Sequence, residues 1–115
     1  MIKVYGIKTC GSVKNALKFF NDNAIEYEFI DFKKEPPSCE KIDYWISKVG
    51  VDKLLNTRGT KYRMLKLKDL NLDENGKREW LCKEYLLIKR PVVELEDGRV
   101  IVGFNEDEYK EVFNG

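Results

Sequence analysis

Cys10 is the side chain in this sequence best placed to do chemistry. Gly11 and Ser12 follow it, and Lys8 and Lys14 flank it. Downstream, Val13, Ala16, Leu17 and Phe20 recur at i, i+3, i+4, i+7, the spacing of one helix face, so the sulfur falls at a helix start. A helix start carries N–H groups with no intrahelical acceptor and the positive end of the macrodipole. A thiolate is stabilised there, and the thiolate is the nucleophilic form of cysteine. The same amides, with the Ser12 hydroxyl and the Lys14 ammonium, can cradle an oxyanion. The competing reading is a buried, inert cysteine at a strand–helix junction. Position, charge and Gly11 together favour the reactive one.

The elements that would hold this cysteine follow from the flanking pattern. Ile2, Val4 and Tyr5 read as a strand that Gly6 breaks, Ile7-Lys8-Thr9 as a loop, and Gly11 to about Asn23 as a helix. Glu26 to Phe32, rich in aromatic and β-branched residues, reads as a second strand. Strand, helix and strand at this spacing make a βαβ unit with parallel strands. After Pro36-Pro37, Ser38 is a helix cap, Ile42, Trp45 and Ile46 are an apolar face, and Gly50 is a stop. Cys39, beside Glu40, reads as a structural or exposed thiol.

Val51 to Leu55 predicts a short helical turn, and Asn56-Thr57-Arg58-Gly59-Thr60 a polar loop. Tyr62, Met64 and Leu65 predict a helix from about Thr60. The charged stretch Lys66 to Lys77 is broken by Gly76, and a helix from about Arg78 to Leu87 follows, with Cys82 as a small core or flank residue. Pro91 closes that helix. Val92, Val93 and Leu95 pair with Val100, Ile101 and Val102 through a two-residue Asp97-Gly98 hairpin. Glu106 to Phe113 is a final helix.

The order β-α-β, helical insertion (about 38–88), β-β-α predicts an α/β, thioredoxin-like fold with a mixed four-stranded sheet in a single domain, 1–115. The Cys10 loop then lies at the carboxyl end of a strand, where open α/β sheets place their sites. Pro91, opening the third strand, faces that loop in such a sheet. The sequence leaves its cis or trans state open.

Composition narrows the class. The 21 Lys and Arg balance 20 Asp and Glu, so no global field attracts nucleic acid. The absence of His and of any Cys-x-x-Cys pair argues against a metal centre. No apolar run reaches membrane length, and the chain opens on a strand pattern rather than a secretory leader. Three widely spaced cysteines suit a reducing cytoplasm rather than a disulfide scaffold.

Four segments in this order carry a resemblance: Tyr5-Gly6-Ile7-Lys8-Thr9-Cys10, Cys10-Gly11-Ser12-Val13-Lys14-Asn15-Ala16, Asn56-Thr57-Arg58-Gly59-Thr60, and Ile88-Lys89-Arg90-Pro91-Val92-Val93 followed by Val102-Gly103-Phe104. Over nearly its whole length the chain resembles the arsenate reductase-like group of the thioredoxin superfamily, with its ArsC, YffB-type and Spx members. The resemblance implies that Cys10 is a nucleophile, and that Gly11, Ser12, Lys14 and Asn15 form an anion-binding turn. It implies that Arg58 and Arg90 match two of three assisting arginines. Lys14 stands where arsenate reductases carry Arg, and Gly103 occupies the third arginine position. A lysine offers a point charge where arginine offers a bidentate fork. Losing one such contact costs about 1.5–3 kcal/mol.

The YffB-type members, with a single Cys and Gly at that third position, are more similar than the arsenate reductases. Val13 takes the place of a second Cys, so a local disulfide switch of the Spx kind is absent.

What the resemblance implies is a thiol-dependent oxidoreductase whose Cys10 adduct is resolved by glutathione, as co-substrate, or by glutaredoxin. No bound cofactor or metal is implied, and the substrate is a small oxyanion or a glutathione mixed disulfide. Arg58, Arg90 and Pro91 would orient it. Cys39 and Cys82 have no support as internal resolvers. The alternative is an Spx-like regulatory protein that binds an RNA polymerase subunit without catalysis.

Overall fold

The structure, a computed structural model, describes residues 1–114. Among these residues, β1 (Ile2–Gly6), β2 (Tyr27–Asp31), β3 (Val92–Glu94) and β4 (Val100–Val102) form one sheet in the order β2-β1-β3-β4. β1 runs parallel to β2, with Val4 opposite Phe29, and antiparallel to β3, with Val4 opposite Val93. β3 and β4 are an antiparallel hairpin. The helices are α1 (Gly11–Asp22), α2 (Cys39–Val49), α3 (Val51–Leu54), α4 (Thr60–Met64), α5 (Glu74–Lys83) and α6 (Glu106–Asn114), with 3₁₀ turns at Leu67–Leu70 and Tyr85–Leu87. The β-α-β and β-β-α halves around one mixed sheet are the thioredoxin-like arrangement.

The chain clusters into two compact units. One comprises Met1–Glu35 and the chain from Arg90 onward. The inserted segment Pro36–Lys89 is the other.

In the first unit, the apolar side chains of the strands meet the apolar faces of α1 and α6. Val4, Val93 and Ile101 pack with Ala16, Phe19 and Phe20 of α1 and Tyr109 of α6. The rings close the core edge-on: Phe19 and Tyr109 have centroids 5.5 Å apart, Phe20 and Phe113 5.1 Å. Each fully buried ring contributes about 1.5–3 kcal/mol of transfer free energy, and edge-to-face geometry adds to that. Asn105 caps α6, its Oδ1 accepting the Glu108 N–H at 2.9 Å.

Gly6 does not break β1. It is the last residue of the strand, paired with Asp31. Its missing side chain has another reason: a Cβ there would sit 2.7 Å from Cγ2 of Val13. The strand end and the first turn of α1 touch at that point.

The β3–β4 turn also departs from expectation. The Leu95 N–H donates to the Arg99 carbonyl (2.9 Å), and the Gly98 N–H donates to the Leu95 carbonyl (3.1 Å). That leaves three loop residues, Glu96, Asp97 and Gly98, with Gly98 at φ 93°. A turn followed by a left-handed residue is the standard three-residue hairpin. The Asp97 carboxylate reaches forward to the N–H (3.0 Å) and Nε (2.8 Å) of Arg99, which fixes the longer loop.

In the second unit, Ser38 caps α2 as expected, its Oγ accepting the Lys41 N–H at 3.1 Å. The sequence misplaces α5, which runs Glu74–Lys83 rather than from Arg78 to Leu87. Asp73 is its cap, with Oδ1 accepting the Gly76 N–H at 2.8 Å. Gly76 is therefore part of the helix and not a break. A Cβ there would lie 3.1 Å from Leu72 and 3.2 Å from the capping carboxylate. The residues after Lys83 turn extended at Glu84 and then form the separate 3₁₀ turn, so Pro91 does not end that helix.

Cys39 and Cys82 are not the separate thiols the sequence suggests; they form a disulfide between α2 and α5. They lie 43 residues apart, and only the pairing of the two helices brings them together.

Candidate active site

Cys10 occupies the N-cap position of α1, with extended backbone at φ −72° and ψ 129°. Its N–H donates to the Ile7 carbonyl at 3.0 Å, which closes the Ile7–Cys10 turn after β1. Its carbonyl accepts the first helical hydrogen bond, from the Lys14 N–H, at 3.0 Å. The amides of Gly11, Ser12 and Val13 precede that bond and belong to the set a helix start leaves without intrahelical acceptors. No acidic residue lies in this first turn. The Cys10 thiol is free and half-exposed, while Gly11, Ser12 and Lys14 are exposed. A Cβ on Gly11 would meet nothing within 4 Å, so the helix start is open on that side.

Topology sets the other residues of the first unit around this turn. Tyr5 pairs with Val92 in an antiparallel register, so Arg90 and Pro91 lie at the carboxyl end of β1, the end from which the Cys10 loop leaves. The Arg90–Pro91 bond is cis, the state the sequence left open. The Pro91 carbonyl accepts the Gly103 N–H at 2.8 Å, which brings the end of β4 to the same sheet edge. Arg90 is half-buried and Pro91 buried.

Asn15 is one turn beyond Gly11. It lines a groove of about 430 Å³ between α1 and α6, with Lys18, Phe104, Glu106 and Lys110.

Arg58 belongs to the second unit, where it is exposed in a tightly specified loop. The Asn56 N–H donates to the Leu87 carbonyl at 2.8 Å, and Asn56 Oδ1 accepts the Arg58 N–H at 3.2 Å. A Cβ on Gly59 would lie 2.7 Å from Asn56 Nδ2, so any larger residue there would displace the Asn56 amide. Arg63 Nη1 donates to the Arg58 carbonyl at 2.8 Å.

Several residues around the site have supporting roles that the sequence does not show. Gly103 has φ 83°, a left-handed conformation that costs an L-residue about 1–2 kcal/mol. Its carbonyl accepts the hydroxyl of buried Tyr109 at 2.8 Å. Burial, then the nearby Glu108 carboxylate, push the Tyr109 hydroxyl well above its ordinary pKa. Burial and Glu94 do the same to Tyr5, whose hydroxyl donates to Glu94 Oε1 at 3.1 Å. Gly6 was visible as a glycine, but its contact with Val13 belongs to the fold. A position opposite a branched residue one turn into the helix was the available signal.

Among the described residues, no group of three His, Cys, Asp or Glu side chains could hold a metal ion. Nor is any described helix long and apolar enough to cross a membrane.

The chain is similar to several known proteins. An uncharacterized protein of Haemophilus influenzae is 39% identical over 114 residues, covering 98% of this chain and 99% of that one. The solution structure of an arsenate reductase (ArsC) related protein from Brucella melitensis superposes with a TM-score of 0.78 at 35% identity, covering 99% and 95% of the two chains. The global transcriptional regulator Spx of Lactiplantibacillus plantarum is 26% identical over 112 residues, covering 96% of this chain and 84% of the regulator. The model of the ArsC family matches residues 5–112, and the chain belongs to that family.

Proposed function

We propose that the chain is a thiol-dependent oxidoreductase in which Cys10 is the sole nucleophile of the reaction. The observation that carries this reading is the free, half-exposed Cys10 at the start of α1, ahead of the first helical hydrogen bond and with no acid in the first turn. The amides of Gly11 and Ser12, with Lys14, hold an anion beside the sulfur. Arg90 and Pro91 receive the substrate at the carboxyl end of β1, and Asn15 serves as a further anion contact.

For a glutathione mixed disulfide, the Cys10 thiolate attacks the glutathione sulfur. A Cys10–glutathione disulfide forms and the other thiol leaves. A second glutathione, as thiolate, then attacks that adduct, releasing oxidised glutathione and restoring Cys10; a glutaredoxin thiolate in its place restores Cys10 and carries the glutathione away as a mixed disulfide. The chain lends its two-electron chemistry to the exchange and ends unchanged. Val13 at i+3 supplies no resolving sulfur, so the second step needs an external thiol. Such a cycle fits a glutathione-rich cytoplasm.

Arsenate is the less favoured substrate. Gly103 occupies the position of the third assisting arginine, and its left-handed backbone and buried site disfavour any side chain there.

The alternative, a regulator that binds an RNA polymerase subunit, draws support from the likeness to Spx. The two readings separate in one experiment. Turnover of a glutathionylated peptide, beside arsenate with glutathione and glutaredoxin, is measured for wild type, Cys10→Ser, Cys39→Ser and Cys82→Ser. The enzyme reading expects loss of turnover in Cys10→Ser alone. Equal activity of Cys10→Ser and wild type would refute it. No activity in any form, together with capture of a purified polymerase subunit, would favour the regulator.

A further inference from the structure

The inserted unit holds chemistry that the Cys10 reaction does not use. We propose that Cys39 and Cys82 form a reversible dithiol–disulfide couple, a second redox site that exchanges with low-molecular-weight thiols and disulfides and operates without Cys10. The Cα atoms are 5.2 Å apart, inside the range that a disulfide spans without backbone movement. Cys39 is exposed, so a small disulfide reaches it; Cys82 is half-buried.

The neighbours of the pair distinguish a switch from a structural staple. Asp43 lies one turn after Cys39 on α2, and Arg78 one turn before Cys82 on α5. They form a two-pronged ion pair, Nε to Oδ1 at 2.8 Å and Nη2 to Oδ2 at 2.9 Å. The link and the ion pair are thus adjacent rungs between two antiparallel helices. Lys77 of α5 adds a tie to Asp52 of α3 at 2.7 Å. Ile42, Trp45 and Leu81 are fully buried on the same helices. With the disulfide open, the ion pairs and the apolar contact still hold α2 against α5, and the two thiols stay within reach of each other.

The exchange balances as follows. The Cys39 thiolate attacks a glutathione-type disulfide, forming a mixed disulfide and expelling one small thiolate. Cys82 gives up its proton to solvent and attacks the Cys39 sulfur. The second small thiol leaves, and two electrons have passed from the protein pair to the small disulfide. An excess of the small thiol runs the same steps backward.

The test is a titration of the full-length chain in buffers of reduced and oxidised glutathione, quenched by alkylation and read by peptide mass. Expected is one two-electron transition joining the Cys39 and Cys82 peptides in wild type and in Cys10→Ser, absent in Cys39→Ser and Cys82→Ser. The fully reduced chain is expected to keep its helical circular dichroism and cooperative melting. Asp43→Asn is expected to shift the closure equilibrium about threefold toward the open thiols. Asp22→Asn, which removes the Lys18 ion pair on α1, leaves it unmoved.

Separate glutathione adducts on Cys39 and Cys82, or a crosslink from either to Cys10, would overturn the proposal. So would loss of cooperative melting on reduction, which would make the link a staple. An equilibrium unmoved by Asp43→Asn would overturn the positioning role of the ion pair.

Discussion

Gly6→Ala tests how the site is positioned. The new methyl would lie 2.7 Å from Cγ2 and 3.5 Å from Cγ1 of Val13, and Val13 is fully buried. Valine in a helix is held in one rotamer, so it cannot swing aside. Either β1 and α1 separate by several tenths of an ångström or both side chains strain. Overpacking of this kind costs about 1–3 kcal/mol. For a chain of this length that is a fall in Tm of about 4–12 °C, at roughly 4 °C per kcal/mol. The shift falls on the first turn of α1, so Cys10 turnover drops with it. Thermal and urea unfolding measure the first effect, and a double-mutant cycle with Val13→Ala isolates its cause. Val13→Ala alone leaves a cavity and costs about 2 kcal/mol. In the double variant the new methyl fills part of that cavity, so the loss is smaller than the sum of the two singles. An unchanged Tm in Gly6→Ala, or strictly additive losses, would refute the contact as the reason for glycine at this position.

Gly103→Ala must hold a side chain at φ 83°, so it loses about 1 kcal/mol in urea unfolding; an unchanged midpoint would contradict the strain. The Tyr5 and Tyr109 hydroxyls are raised above the ordinary value of 10.0, chiefly by burial. Their contribution to stability is complete below that pH. It declines as pH climbs past it, because unfolded tyrosines release protons that the folded ones keep. Urea unfolding followed from about pH 8 to 11 shows this decline, and Tyr109→Phe declines less steeply; equal slopes would exclude Tyr109 as a source. Cys82→Ser, measured without reductant, loses up to about 4 kcal/mol, the loop-closure entropy of a 43-residue separation. With reductant present it matches the reduced wild type to within about 1 kcal/mol, and a gap of several kcal/mol there would assign the loss to packing instead.

Much of the fold is legible in the chain because local signals agree with the tertiary answer. Ser38 caps α2, Gly50 stops it, and Val13, Ala16 and Phe20 of α1 are buried as their spacing requires. The errors cluster where a side chain acts over several residues. Asp73 starts α5 early by capping Gly76, which read as a break from composition alone. Asp97 lengthens the hairpin by bonding forward to Arg99. The disulfide was hidden by 43 intervening residues, since nothing local marks two cysteines as partners. At the candidate site, the helix start and its cysteine were visible in the pattern Cys10-Gly11-Ser12. The packing role of Gly6 and the backbone role of Gly103 were not. The first depends on the packing of a strand end against Val13, the second on the Pro91 carbonyl and the Tyr109 hydroxyl.

The central claim is that one sulfur, at position 10, takes the substrate's group and waits for a thiol from outside. Single-turnover mass analysis tests it most directly: chain freed of small thiols is mixed with a glutathionylated peptide, quenched and mapped. The account predicts one glutathione on Cys10, stable until free glutathione is added. A bare Cys10, or a disulfide from Cys10 to Cys39 or Cys82, would contradict it.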